Sequence, residues 1–202
     1  MTPPAWYTRD VSRETLDKLQ AYANLIRKWT ARINLVSMAS RDQLETRHIW
    51  DSAQIYTGEE GSWLDIGSGG GLPAVVVAVL RAGEGRGVAM TLVESDQRKA
   101  TFLRTCAREL DLSFTVQAER VEILAPHAAG VLSARALAPL EGLLGYADRH
   151  LKNGGQCIFM KGAAWKEEVA QAQQNWRFSY DATVSKTDAN AAILRIKEIE
   201  RV

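Results

Sequence analysis

The chain has 202 residues, of which 46% are apolar and 24% are charged with mixed sign, a composition that allows one sizeable core and excludes disordered and fibrous proteins. Its 25 Lys and Arg residues nearly balance its 24 Asp and Glu residues, so the net charge of +1 gives no global basic field that would indicate a nucleic-acid partner. Any recognition of RNA must therefore depend on local residues.

No segment has the pattern of an export signal or a membrane span. The longest apolar run, Leu72 to Leu80, is far shorter than the roughly 18 residues that cross a bilayer. Cys106 and Cys157 fall in a predicted helix and a predicted strand, without the spacing of a disulfide framework or a zinc site. We expect a cytoplasmic protein with no membrane contact and no metal, in which both cysteines pack in the core.

The first 58 residues are predicted to form an N-terminal helical extension. Between Ser12 and Trp29 the apolar residues recur at steps of three and four, which indicates an amphipathic helix capped by Ser12. A second helix is predicted from about Asp42 to Tyr56, ending before Gly58. We place the second part of the chain, one structural unit, at residues 59–202.

In residues 59–202, short runs rich in β-branched residues alternate with helical patterns, which predicts βαβ units and a parallel sheet. The predicted strands are Ser62–Ile66, Val88–Glu94, Phe114–Ala118, Gly130–Ala134, Gln156–Lys161, Phe178–Ser185 and Ala191–Ile199. The predicted helices are Pro73–Arg81, Asp96–Leu110, one from Pro139 and one near Ala164–Asn175, with at best a short helix between the third and fourth strands.

The last two predicted strands are separated by only a short link, so they must form an antiparallel hairpin. The expected fold is therefore α/β, with a mostly parallel seven-stranded sheet that ends in an antiparallel hairpin and an N-terminal helical extension. This arrangement resembles the Rossmann-like fold of class I methyltransferases, a likeness of fold alone.

The most informative segment is residues 65–73, Asp-Ile-Gly-Ser-Gly-Gly-Gly-Leu-Pro, where a strand opens through four glycines into a helix. Glycines let the backbone approach a ligand closely. Glu94 ends the next strand, 23 residues after Gly71. A carboxylate at that place can accept hydrogen bonds from both hydroxyls of a ribose, so loop and carboxylate together predict a nucleoside-containing cofactor.

Two cofactors fit this pattern. Gly69 to Ala74 reads as G-x-G-x-x-A, a dinucleotide fingerprint, which leaves an NAD(P)-dependent oxidoreductase open. Asp65 favours S-adenosylmethionine instead. A carboxylate facing the loop would oppose a pyrophosphate at the helix N-terminus, whereas it would attract the ammonium and sulfonium groups of S-adenosylmethionine.

Motifs along nearly the whole chain resemble one family, the ribosomal RNA small subunit methyltransferase G family, also called glucose-inhibited division protein B. They are Asn34-Leu35-Val36, Arg47-His48-Ile49-Trp50-Asp51-Ser52, Asp65 to Pro73, Arg98 with Phe102-Leu103-Arg104, Arg120-Val121-Glu122, Ala134-Arg135-Ala136 and Lys161-Gly162. The resemblance implies a cytoplasmic bacterial 16S rRNA (guanine(527)-N7)-methyltransferase that uses S-adenosylmethionine and leaves S-adenosylhomocysteine. Its substrate would be 16S rRNA or the small ribosomal subunit particle, and we expect a monomer.

By motif match, the resemblance places cofactor contacts at Gly67, Leu72, Glu94, the Val121-Glu122 pair and Arg135, with Glu122 near the adenine. Together with the loop residues, the expected cofactor-binding set is Asp65, Gly67, Gly69, Gly71, Leu72, Glu94, Val121, Glu122 and Arg135. A ribosome-assembly binding module with an inactive cofactor pocket stays open as a non-enzymatic alternative.

The residues after the fourth predicted strand agree with guanine N7 as the target atom. Enzymes that methylate exocyclic amines tend to carry an Asn/Asp-Pro-Pro-aromatic turn there, whereas this chain has Ser133-Ala134-Arg135-Ala136. Guanine N7 has an in-plane lone pair and loses no proton, so neither that turn nor a general base is required. Enzyme groups would then contribute mainly orientation.

Three cations are expected to position the substrate. Arg135 and Lys161 lie at carboxyl ends of predicted strands, where ligands bind in open α/β sheets, and Arg120 is a third positive contact at a neighbouring strand end. An arginine on N7 would block the methyl group, so contact with O6 or a phosphate is expected.

A further group is expected to contact RNA or to support the site. His48 and Asp51 are three residues apart and Arg47 and Asp51 four apart, which places them on one face of an α-helix as a local network. The residues alone favour a structural role for this network. Asn34, at the exit of the first helix, belongs to the same group by resemblance.

Overall fold

The computed structural model describes residues 1–37, 42–56, 58, 61–87 and 89–202. Within them lies a seven-stranded sheet with the strand order β3-β2-β1-β4-β5-β7-β6. The strands are Trp63–Ile66 (β1), Met90–Val93 (β2), Thr115–Gln117 (β3), Ala129–Arg135 (β4), Leu151–Lys161 (β5), Trp176–Val184 (β6) and Ala192–Arg201 (β7). The helices are Arg13–Thr30 (α1), Asp51–Ala53 (α2), Ala74–Gly83 (α3), Gln97–Glu109 (α4), Leu140–His150 (α5) and Trp165–Ala172 (α6), with a π-helix at Glu45–Trp50 directly before α2.

The predicted sheet is confirmed. Strands β1 to β5 pair in parallel, and β7 pairs antiparallel with both β5 and β6. The chain order reverses between β1 and β4, which lie side by side in the sheet. Open α/β sheets bind ligands outside the carboxyl ends of the strands at such a reversal.

Local capping explains where the helices begin. Ser12 caps α1 as predicted, accepting a hydrogen bond of 3.2 Å from the backbone N–H of Thr15. Asp96 caps α4 by accepting from the N–H groups of Arg98 and Lys99. The predicted start of the second strand, Val88, lies outside the described residues, and a turn rather than a helix follows β3 at Val121–Leu124.

The second predicted helix has a different form from the expected one. Instead of one α-helix from Asp42 to Tyr56, the chain forms the π-helix Glu45–Trp50 and the single-turn α2. A π-helix places more residues in each turn, so side chains four apart no longer share a face as they do in an α-helix. Hydrophobic periodicity alone does not show this difference, because Ile49 and Trp50 still reach the core.

The core has one layer on each face of the sheet. Leu19, Tyr22 and Ile26 of α1 are fully buried in the same cluster as Val75 of α3 and Trp63 of β1, while α5 and α6 cover the opposite face. The N-terminal helix is therefore packed into the sheet domain. A boundary after residue 58 stays a prediction.

Both cysteines lie in the core, as predicted. Cys106 in α4 and Cys157 in β5 are buried and free, and burial raises the pKa of each thiol. Neither one is therefore activated as a nucleophile. Among the helices of the described ranges, none is long and apolar enough to cross a membrane.

Candidate active site

A cavity of about 590 Å³ opens at the carboxyl edge of the sheet, where the strand order reverses. The glycine loop, the ends of β2 and β4, the turn after β3 and the segment after α1 form its walls. The predicted site residues that line it are Gly67, Gly69, Leu72, Glu94, Arg120, Val121, Glu122, Arg135 and His48. These nine residues form part of the lining of this cavity, hereafter the cofactor cavity.

Positive φ angles give the loop its shape. Gly67, Gly69 and Gly71 have φ values of 64°, 54° and 81°, in the left-handed region that favours glycine. Gly71 faces away from the cavity, because a Cβ there would lie 2.5 Å from a methyl group of Val75. The structure does not bring Gly71 to the cofactor cavity, so its glycine is required by packing.

Glu94 connects the loop to the end of β2. Its Oε2 accepts a hydrogen bond of 2.7 Å from the N–H of Gly69, and its Oε1 accepts one of 2.7 Å from the N–H of Asp96. The residue is 7% exposed and lines the cavity. Each carboxylate oxygen can accept more than one hydrogen bond, so Glu94 can hold the loop and still accept from a ligand hydroxyl.

Asp65 lies below the loop and is 1% exposed. Its Oδ1 accepts a hydrogen bond of 2.5 Å from the hydroxyl of Ser133, which itself accepts from the indole N–H of Trp63. Its Oδ2 has no hydrogen bond within the described ranges. Burial is the main cause that raises the pKa of Asp65 to about 6, while the Ser133 hydrogen bond opposes the rise. A buried carboxylate with a spare acceptor favours a cationic ligand nearby over a pyrophosphate.

Arg135, the last residue of β4, is held against the π-helix. Its Nη1 lies 3.0 Å from Nδ1 of His48 and 3.9 Å from Oδ2 of Asp51. Burial, and then the nearby charges of Arg135 and Arg47, lower the pKa of His48 to about 4. The imidazole is therefore neutral at pH 7, and its Nδ1 accepts a hydrogen bond from the guanidinium group.

The π-helix also contacts the loop between β6 and β7. Arg47 forms an ion pair with Asp188 at 3.3 Å, and Asp51 accepts hydrogen bonds from Ser185 and Thr187. The predicted local network is wrong in one detail, since Arg47 faces Asp188 rather than Asp51. The physical reason is the π-helical turn, which moves residues four apart off a common face.

Lys161 lies outside the cofactor cavity, in a second cavity of about 310 Å³ that shares Arg135 and Ala136 with it. The ammonium group of Lys161 donates to the carbonyl oxygen of Ala138 at 2.9 Å and forms an ion pair with Glu168 at 2.6 Å. Lys161 therefore already has two partners in this structure.

The three predicted cations do not lie at neighbouring strand ends. Arg120 follows β3, which β2 and β1 separate from β4, although Arg120 and Arg135 line the same cavity. Strands β3 and β4 follow each other in the chain but are not adjacent in the sheet, because the strand order reverses at β1. Asn34 is exposed and not among the residues that line the cofactor cavity, although the three residues from Leu35 to Ser37 are.

Several residues that line the cofactor cavity are not among those predicted from the sequence. Lys99 reaches it from the first turn of α4, and Tyr146 from α5, where its hydroxyl donates to Glu122 at 2.7 Å. The position of Lys99 shortly after Glu94 was a usable signal, whereas no local pattern indicates Tyr146. In the part of the chain that the structure describes, no group of three His, Cys, Asp or Glu side chains could hold a metal ion.

Known proteins resemble this chain along most of its length. The family model for rRNA small subunit methyltransferase G matches residues 15–195. The chain belongs to this family. Ribosomal RNA small subunit methyltransferase G of Ruegeria sp. (strain TM1040) is 51% identical over 195 residues, which cover 96% of this chain and 95% of that protein. The protein of the same name from Ruegeria pomeroyi is 50% identical over 204 residues, with both chains fully covered.

Solved structures with little sequence identity share the fold of this methyltransferase G family member. The 16S rRNA methylase RmtB has a TM-score of 0.56 at 16% identity, covering 94% of this chain and 76% of its own. M. jannaschii TYW2 in complex with AdoMet has a TM-score of 0.57 at 12% identity, covering 86% and 80%. The predicted Rossmann-like class I methyltransferase fold is therefore confirmed.

Membership in the rRNA small subunit methyltransferase G family makes the chain an S-adenosylmethionine-dependent rRNA methyltransferase, and S-adenosylmethionine is its cofactor. The predictions of enzyme class and cofactor are confirmed. Membership in this family disfavours the NAD(P)-dependent oxidoreductase that the G-x-G-x-x-A pattern left open. The buried Oδ2 of Asp65, which has no hydrogen bond within the described ranges, disfavours it as well.

Proposed function

We propose that the protein methylates N7 of a guanine in 16S rRNA, as a 16S rRNA (guanine(527)-N7)-methyltransferase. The observation that carries the proposal is the side chain at the end of β4, because Arg135 lines the cofactor cavity and offers only hydrogen-bond donors. A reacting exocyclic amine would need acceptors on the wall of the cofactor cavity at the end of β4, whereas the nearby Asp51 lines the second cavity instead. Guanine presents O6 beside N7, and O6 accepts from an arginine while N7 stays free.

The residues around the cofactor cavity fit S-adenosylmethionine. Glu94 would accept from the ribose hydroxyls, Val121 and Glu122 would contact the adenine, and Asp65 would offset positive charge from below the loop. Gly67, Gly69 and Leu72 would form the wall around the cofactor, with Arg135 at the side of the substrate. When bound, the cofactor supplies an electrophilic methyl group.

The protein's contribution to the reaction is orientation. Guanine N7 attacks with its own lone pair and releases no proton, so no residue has to act as a base. His48 is neutral because its pKa is about 4, so it accepts a hydrogen bond from Arg135 and fixes the guanidinium group. A fixed donor next to the reacting atom lowers the entropic cost of reaching the transition state.

We further propose that the substrate is 16S rRNA or the small ribosomal subunit particle, and that the protein acts as a monomer in the cytoplasm. Exposed Arg120 would contact RNA phosphates at the mouth of the cofactor cavity. Asn34 is exposed and available for RNA. Arg47 is paired with Asp188, which favours a supporting role for Arg47.

Incubation with labelled S-adenosylmethionine and unmodified small-subunit particles, followed by digestion of the RNA to nucleosides, tests the proposal. We expect labelled 7-methylguanosine. Label in another nucleoside, or in protein, would refute the proposed target. Binding of particles and cofactor without any transfer of label would favour the binding-module alternative, and a thermal shift with NADH but none with S-adenosylhomocysteine would favour the oxidoreductase.

A further inference from the structure

The second cavity adjoins the cofactor cavity at the end of β4. It has a volume of about 310 Å³, within the usual range for pockets that bind small molecules, which begins at about 300 Å³. Its wall carries two cations and two carboxylates, namely Arg135, Lys161, Asp51 and Glu168. Since Arg135 and Ala136 line both cavities, a base in the second cavity would lie beside the cofactor cavity.

Asp51 is the carboxylate whose orientation is best fixed. Its Oδ1 accepts hydrogen bonds from Gln54 at 2.9 Å, Ser185 at 3.0 Å and Thr187 at 2.5 Å. Its Oδ2 has no hydrogen bond to any described residue, and Arg135 Nη1 lies 3.9 Å from it. Three donors on one oxygen hold the carboxylate in place and leave the other oxygen as a spare acceptor.

Glu168, unlike Asp51 Oδ2, already has partners within the fold. Its Oε2 accepts a hydrogen bond of 2.7 Å from the N–H of Leu140, at the start of α5, and pairs with the ammonium group of Lys161. This pair ties α5 and α6 to the end of β5 and forms one wall of the second cavity. Asp51 and Arg135 are then the acceptor and donor available to a ligand.

We propose that the second cavity binds the target guanine by its Watson–Crick edge, with Asp51 accepting from N1–H and the N2 amino group and Arg135 donating to O6. This proposal rests on the proposed function. Guanine carries this acceptor and these donors side by side, so one base edge can contact both side chains. Adenine carries a donor and an acceptor in the reverse order, and its N6 amino group would face the arginine.

The charge of Asp51 suits the reaction as well as the base. Methylation at N7 breaks the sulfur–carbon bond and forms a nitrogen–carbon bond, so the positive charge moves from the sulfonium to the purine ring. A carboxylate on the N1 and N2 side interacts more strongly with this cationic ring than with neutral guanine. Asp51 would therefore stabilise the transition state more than the bound substrate.

Replacing the target guanosine by inosine removes only the N2 amino group and tests the proposal without changing the protein. In reconstituted particles that differ only at this nucleotide, we expect the wild-type protein to methylate inosine at least about 10-fold more slowly, since the half-buried Asp51 carboxylate loses one of its two donors on the base. Equal rates for guanosine and inosine would overturn the proposal.

Asp51→Asn is the matching protein variant. The three donors on Oδ1 would hold the amide oxygen there and place the amide N–H₂ at the position of Oδ2. We expect methylation of guanosine to fall about 100-fold or more, and the guanosine-to-inosine rate ratio to fall towards one. Asp188→Asn is the control. Asp188 also joins the π-helix to the loop between β6 and β7, but it does not line the second cavity, so this substitution should leave the rate and the ratio unchanged.

Binding gives a readout that does not depend on turnover. With S-adenosylhomocysteine present, wild type should bind RNA carrying 7-methylguanosine more tightly than unmethylated RNA, and Asp51→Asn should lose this preference. An unchanged preference in the variant would overturn the role of Asp51. If wild type forms no 7-methylguanosine at all, the proposed function fails; if it does and inosine reacts equally well, only the assignment of the second cavity fails.

Discussion

The hydroxyl of Tyr22 in α1 donates a hydrogen bond of 2.5 Å to the carbonyl oxygen of Gly70 in the glycine loop. Tyr22 is fully buried, so no water replaces this contact. Gly70 also lies against Leu35, since a Cβ at Gly70 would be 3.3 Å from the Leu35 carbonyl oxygen. The N-terminal helix and the segment after it therefore hold the loop that would surround the cofactor.

Removing the Tyr22 hydroxyl with Tyr22→Phe should weaken both folding and cofactor binding. The carbonyl oxygen of Gly70 would stay buried without its donor, which costs about 1–3 kcal/mol. We expect the free energy of unfolding in urea to fall by about this amount and the affinity for S-adenosylhomocysteine, measured by calorimetry, to fall several-fold. Tyr180→Phe, at an exposed position on β6, is the control and should change neither quantity. Unchanged affinity in Tyr22→Phe would show that α1 does not shape the cofactor cavity.

Two glycines of the loop should respond differently to alanine. Gly71→Ala would place a Cβ 2.5 Å from Val75 and 2.9 Å from the Tyr22 hydroxyl, whereas Gly69→Ala meets nothing closer than 3.8 Å. Both substitutions place an alanine at a positive φ, which destabilises the fold by about 1 kcal/mol. We expect Gly71→Ala to be more destabilising in urea by at least about 2 kcal/mol. Equal losses would mean that backbone strain, not packing, decides the requirement for glycine.

Asp65 should make the stability of the protein without cofactor depend on pH. Its pKa is raised to about 6, so between about pH 4 and pH 6 the folded state binds more protons than the unfolded state, and stability falls as the pH rises. Over this range the ionisation of Asp65 lowers the free energy of unfolding by about 3 kcal/mol in total. In urea unfolding across this range, the stability of wild type should fall relative to that of Asp65→Asn as the pH rises.

The affinity for the cofactor should depend on pH in the opposite direction, also because of Asp65. If the ionised Asp65 carboxylate attracts the cationic cofactor, the affinity for S-adenosylmethionine should rise as the pH rises towards about 6 and then level off. Calorimetry with Asp65→Asn should give a flatter profile and weaker binding at pH 7.5. Parallel pH profiles for the two proteins would contradict the role that we assign to Asp65.

Lys161 is expected to act through its ion pair with Glu168. Lys161→Met leaves a partly buried carboxylate without its cation, so we expect a loss of about 2–3 kcal/mol in urea unfolding, reduced from the value for a fully buried pair because Glu168 keeps some exposure. In the double variant Lys161→Met/Glu168→Gln, the loss should be smaller than the sum of the two single losses. If the losses in the free energy of unfolding are additive, the two side chains are not coupled. Lys161 would then be better explained as a direct contact to the substrate.

The sequence predicted the sheet and the position of the glycine loop well because both leave local patterns. The β-branched strands repeat, the glycines are close together in the chain, and Glu94 directly follows a strand at a short distance from them. What depends on distant contacts was not predictable in this way. The π-helical turn, the pairing of Arg47 with Asp188 and the separation of Arg120 from Lys161 follow from how the hairpin loop and the strand order bring remote segments together.

Chemical mapping of the methylated nucleotide shows whether the protein methylates N7 of a guanine in 16S rRNA. After incubation with S-adenosylmethionine, small-subunit particles are extracted, and the RNA is reduced with borohydride and cleaved with aniline, which breaks the chain at 7-methylguanosine. We expect one new cleavage in 16S rRNA with wild-type protein and none with Arg135→Ala, provided that this variant still binds S-adenosylhomocysteine. Incorporation of labelled methyl groups into the RNA without any such cleavage would contradict guanine N7 as the target.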